Sequence, residues 1–101
     1  MTDEDVDFRS GVLLAFQVSL LGMVTSHLRG VTVGWEERSI WANLLFDGEI
    51  GDDEFETSMD IEGEVAASFP DRDVCVRPIR LDAPEPLNPE ALKAWVYRRK
   101  E

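Results

Sequence analysis

The middle of the chain alternates. Val31, Val33 and Trp35 take every second position, and after the polar Glu36-Glu37-Arg38 the alternation resumes at Ile40, Ala42, Leu44 and Phe46. Spacing of two places these residues on one face of a strand, so the stretch predicts a hairpin. Trp41, Asn43 and Leu45 face the other way, so the second face of the sheet is not fully polar and also demands cover. Ahead of the hairpin the spacing becomes that of a helix, from roughly Asp5 to Leu28, with Arg29-Gly30 suited to its end. Gly22 and the β-branched Val24 and Thr25 offer an earlier end. Phe8, Val12, Ala15, Phe16 and Met23 fall on one side of this helix, and Leu14, Val18 and Leu21 on another. A helix lying on a sheet needs a single apolar stripe. The surplus is either covered by later chain or forms an interface with a partner or a second copy.

Asp47-Gly48-Glu49-Ile50-Gly51 reads as a turn. A second helix is expected from Asp52 to Ser68, capped by Gly51 or Asp52 and stopped by Pro70. Phe55, Met59, Glu62 and Ala66 lie near one line of it, with Val65 and Phe69 beside them. Asp53, Glu56, Asp60 and Glu64 recur at helical spacing and form one outward acidic face. Asp73 to Asp82 predicts a third strand, in which Pro78 implies an edge or a bulge. The apolar phase shifts there from Val74 and Val76 to Ile79 and Leu81, which supports a bulge. A proline-rich ordered loop follows to Pro89, then a short helical turn over Pro89–Lys93 and a terminal strand at Trp95-Val96-Tyr97. The expectation is a single α+β domain over residues 1–101. It has a three- or four-stranded antiparallel or mixed sheet and two helices, in the order α-β-β-α-β-(turn)-β.

Charge changes this picture. The net charge is −11, and from Ser39 to Asp71 there are ten acids and no Lys or Arg. The remainder carries eleven acids and ten bases, a net of −1, so nearly all the excess lies in the second helix and its lead-in. Such a surface repels nucleic-acid phosphates and anionic lipid headgroups, and it steers a basic protein partner in quickly. Simple solubility is the other use of surface charge. The run Trp95 to Lys100 mixes aromatics with Arg98, Arg99 and Lys100, a combination that recurs in single-strand binders. Against the whole-chain charge these bases read as partners for nearby acids such as Glu85 or Glu90. Neither nucleic acid nor membrane is an expected partner.

No catalytic or cofactor signature occurs: there is no G-x-S-x-G, H-E-x-x-H, P-loop or G-x-G-x-x-G. His27 and Cys75 are the only histidine and cysteine, which rules out an internal disulfide and leaves no pattern for a nucleophile and its base. Cys75, between Val74 and Val76, reads as a buried thiol. Asp47-Gly48-Glu49 followed by Asp52-Asp53-Glu54 offers hard oxygen atoms, but Gly51 stands where a calcium loop needs an acid. The expectation is a non-enzyme with no cofactor and no metal. The apolar run Val12–Val24 has a signal peptide's length, but Asp3, Glu4, Asp5 and Asp7 precede it where a positive flank is needed. It is also shorter than the roughly 20 residues of a membrane span. A cytoplasmic protein is expected.

Five blocks carry a resemblance. They are Leu28-Arg29-Gly30-Val31, Phe46-Asp47-Gly48-Glu49, Ser68-Phe69-Pro70, Ile79 to Leu87, and Trp95 to Glu101. In this order they resemble a group of short bacterial proteins associated with the immunity proteins of toxin–immunity systems, including contact-dependent growth inhibition. The resemblance covers about residues 28 to 101. It implies a stoichiometric protein that binds one cognate toxin domain and blocks its active site or substrate path. Many such toxins are nucleases with basic grooves, in which an acidic helix would stand in for phosphates. The residues expected to bind the partner are Asp53, Glu56, Asp60 and Glu64, with Glu49 and Asp52 in support. The alternative is a non-catalytic oligomeric module, a homodimer through the over-apolar first helix.

Overall fold

Helix α1 spans Asp3–Ser19, and strands β1 and β2 span Leu28–Trp35 and Ser39–Phe46. Helix α2 spans Asp52–Ser68, strand β3 Asp73–Arg80, and strand β4 Ala94–Arg98, with a single 3-10 turn at Asn88–Glu90 before it. This computed structural model describes the backbone of residues 3–101 and the side chains of residues 6–101. The strands form one mixed sheet in the order β3-β2-β1-β4. β1 runs antiparallel to both β2 and β4, and β2 runs parallel to β3. The parallel pair follows from connectivity, because α2 carries the chain back over the sheet before β3 begins. The α+β order expected from the pattern is the observed one.

Both helices pack on one face of the sheet. Val31 and Val33 of β1, Ile40, Ala42, Leu44 and Phe46 of β2, and Val76 of β3 join Val12 and Phe16 of α1 and Ile61 and Val65 of α2 in one buried core. The alternation in the hairpin therefore marks the helix-covered face. The opposite face is covered in part by the loop between β3 and β4. Leu92 donates its N–H to Thr32 Oγ1 at 2.8 Å, and Lys93 donates its N–H to the Val33 carbonyl at 3.0 Å, which ties the loop along β1. Leu45 and Leu87 are buried apart from the main core. Trp41 lies over Gly34, where a Cβ would stand 2.7 Å from the indole, so this aromatic is covered by backbone rather than by a further layer.

Four details differ from expectation. α1 ends at Ser19 rather than near Leu28, and Gly22, at φ +79°, turns the chain away. β1 then begins at Leu28, so Leu28-Arg29-Gly30 is strand and His27 lies in the preceding loop. β3 is an edge strand, as Pro78 implied, but its register with β2 is unbroken and no bulge occurs there. The phase shift arises because Val74 and Val76 face the helices while Ile79 pairs with Leu45 on the other face. The irregularities fall instead in β1, where Arg29 is an extra residue opposite β2, and between β1 and β4 after Val31. Cys75 is exposed, because it pairs with Trp41 on the thinly covered face of the edge strand.

The edge is blunted by two devices. Val76 points its N–H away from β2 and donates it to the Glu62 carboxylate at 2.8 Å. Pro78, two residues on and in the same phase, has no N–H to offer.

Candidate functional site

Helix α2 is placed by its buried side. Ser58, Ile61 and Val65 face the sheet, and the Ser58 hydroxyl is satisfied by the Glu54 carbonyl at 2.9 Å. The line containing Phe55 and Met59 is not that buried stripe; these side chains stand 54 % and 67 % exposed. The reason is that the centre of the contact is rotated by more than a quarter turn from them, at about 100° per residue.

The sequence-predicted residues come together on the outer side of α2. Asp52, Asp53, Glu56, Asp60 and Glu64 are all exposed on that helix, and Glu49 is exposed in the turn that leads into it. Among the described residues none of the six pairs with a Lys or Arg. Two other acids of α2 have structural work: Glu62 holds β3, and Glu54 accepts the Gly51 N–H at 3.1 Å, closing the first turn. The sequence placed all these acids on one helix but did not separate these two from the free row.

Beside the acids runs a hollow that spacing alone did not reveal. It lies between α1 and α2, has a volume of about 430 Å³, and is lined by Gly11, Leu14, Ala15 and Val18 on α1 and by Glu64, Ser68 and Phe69 on the other side. Leu14 is 60 % and Val18 48 % exposed, and Leu21 beyond them is 77 % exposed. The surplus apolar face of α1 is thus not covered by later chain. Glu64 belongs both to the acidic row and to the wall of the hollow. The row is therefore bordered by apolar groups on both sides, with Leu14 and Val18 across the hollow and Phe55 and Met59 on the flank towards β3.

The opposite end of the sheet holds a polar knot. Arg29, the extra residue of β1, is 1 % exposed. Its guanidinium donates to both carboxylate oxygens of Glu101 at 2.8 Å and to the carbonyls of Leu81 and Glu85 at 2.7 Å. This bidentate pair holds the Glu101 carboxyl down at about 2, with Arg99 adding to the effect. Arg99 reaches Glu101 at 2.9 Å, Asp47 at 3.5 Å and the Ser26 carbonyl at 2.7 Å. Asp82 accepts the Gly48 N–H at 2.7 Å and pairs with Arg80, and both contacts lower its carboxyl pKa. Of the three C-terminal bases only Arg99 pairs with acids among the described residues, and these are Asp47 and Glu101 rather than Glu85 or Glu90; Arg98 stacks on Trp95 at 5.1 Å. Four of the five blocks behind the resemblance contribute to this knot, though they are far apart in sequence.

A family model described as MafI2 immunity protein matches residues 9–101. The chain belongs to the MafI2 immunity protein family. The match reaches back from Leu28 to Arg9, so this MafI2 domain includes the α1 wall of the hollow as well as the knot. No curated protein sequence matches the chain. No helix among the described residues is long and apolar enough to cross a membrane. Among those residues no group of three or more His, Cys, Asp or Glu is arranged to hold a metal.

Proposed function

We propose that this MafI2 family member neutralises a cognate bacterial toxin domain as a stoichiometric, non-catalytic inhibitor, and that it does so through the acidic side of α2. The observation that carries the reading is the row of exposed carboxylates on α2, unpaired with Lys or Arg among the described residues, in a member of an immunity family. Repulsion within such a row costs tenths of a kcal/mol per neighbouring pair on an exposed helix. A basic surface relieves that repulsion on contact, and complementary charge mainly raises the rate of encounter. Against a nuclease toxin the carboxylates would occupy the positions of substrate phosphates, through hydrogen bonds from Arg and Lys. Work in the cytoplasm of the producing cell accords with this role.

The test is co-expression. A toxin domain that arrests growth is expected to be relieved by the wild-type chain and to co-purify with it at equal stoichiometry. The double reversal Glu56→Lys and Asp60→Lys is expected to bind much more slowly and to protect poorly. Unchanged protection by the double variant would remove the acidic face from the mechanism.

A further inference from the structure

The acidic row explains attraction at a distance, but charged rim contacts alone give little lasting affinity. Durable complexes rest on a few buried apolar anchors. The hollow between α1 and α2 is where this molecule offers a seat for them. Its α1 wall is made at positions 11, 14, 15 and 18 and its α2 wall at 64 and 68, so it runs along the helix axes for about 10 Å at 1.5 Å per residue. That length matches about two turns of another helix. The small residues Gly11, Ala15 and Ser68 leave the room, and Leu14 and Val18 supply apolar surface that the described residues leave about half exposed.

The two walls differ in charge. Leu14 and Val18 face Glu64, and behind Glu64 stand Asp60, Glu56 and Asp53. An occupant that satisfies both walls is amphipathic, with aliphatic or aromatic anchors in the hollow and Lys or Arg on the side facing α2. A second copy of this chain fits poorly, since a symmetric pairing of hollows would bring two acidic rows together. Phe55 and Met59 on the far flank protrude, 54 % and 67 % exposed.

We infer that the hollow between α1 and α2 is the anchor site for a basic amphipathic helix of the toxin domain, the acidic row being its electrostatic approach. This inference rests on the proposed toxin-neutralising role and adds the class of structure recognised.

The experiment measures association and dissociation rates of single variants against the toxin domain that the wild-type chain neutralises in co-expression. Leu14→Ser and Val18→Ser alter exposed side chains, so thermal unfolding should stay near wild type. Each is expected to speed dissociation roughly tenfold or more, with the association rate and its salt dependence nearly unchanged. Gly11→Leu fills the hollow from within and is expected to do the same; an added Cβ there meets Phe69 at an ordinary 3.6 Å. Wild-type dissociation in all three, with Glu56→Lys/Asp60→Lys still slowing association, would overturn the anchor site and leave the toxin reading standing. A larger loss at Phe55→Ser and Met59→Ser would move the contact to the other flank and also overturn it. A dimer of the free chain in sedimentation that Val18→Ser abolishes would assign the hollow to a second copy instead. If the wild-type chain neutralises and binds no toxin domain, the functional reading fails and the anchor site with it.

Discussion

Arg29 is the residue on which most of the polar structure turns. A guanidinium removed from water needs every direction filled, and the Glu101 carboxylate with two loop carbonyls does this. Arg29→Met would leave the Leu81 and Glu85 carbonyls without this donor and the Glu101 carboxylate with Arg99 alone, and the expected loss is about 2–3 kcal/mol in denaturant unfolding. Glu101 adds a pH signature. Its carboxyl falls from an ordinary 4.5 to about 2 on folding, so the unfolded chain binds the proton more readily. The contribution is therefore complete above about pH 5 and is lost as pH falls towards 2. Asp82, lowered by Arg80 and the Gly48 N–H, acts in the same direction. Glu101→Gln should flatten the stability–pH curve across that acid window and leave the slope above pH 5 unaltered. A curve unchanged by the substitution would show that the pair does not set acid stability.

Each helix carries a glycine in its interior, with different consequences. Gly63 on α2 is exposed, and an added Cβ there meets nothing within 4 Å. Gly63→Ala should stabilise the protein by about 1 kcal/mol, raising the unfolding midpoint by roughly 5 °C. Glu62, one residue earlier, works in the opposite sense. Glu62→Ala would free the Val76 N–H on the edge strand and is expected to cost about 1 kcal/mol. It should also promote self-association through β3, visible in light scattering, because an unpaired edge is a template for another strand.

For the molecule as a whole, charge and apolar surface are arranged together. The base-free segment from Ser39 to Asp71 carries ten of the 21 acids, and on folding five of them stand on the outer side of α2 between two apolar borders, with Glu49 in the turn ahead. The polar knot lies at the end of the sheet where Leu28 pairs with Phe46, and four of the five resemblance blocks converge there. Those four are accounted for by architecture, whereas Ser68 and Phe69 of the remaining block line the hollow and Glu49 of the second block belongs to the acidic site. Association of wild-type protein with its partner should slow steeply as salt rises, and the Glu56→Lys/Asp60→Lys variant should show a much shallower dependence. Equal slopes would mean that the excess charge serves solubility alone.

Local pattern sufficed for the element order, the hairpin, the span of α2 and the acidic row, because each follows from periodicity within a few neighbouring residues. Pro78 narrowed β3 to an edge strand or a bulge, through an N–H it does not have, and the edge is what occurs. What the chain could not announce locally depended on partners distant in sequence. Gly22 offered the earlier end of α1 locally, but the start of β1 at Leu28 rests on its pairing with Phe46. The apolar phase shift in β3 came from cover on two faces rather than from a bulge. Arg29 became buried because Glu101, 72 residues away, and the loop after β3 close over it. The hollow beside Glu64 exists because two helices meet there through the small residues Gly11, Ala15 and Ser68 and leave Leu14 and Val18 exposed, and hydrophobic burial is a property of the assembled fold rather than of any window of sequence.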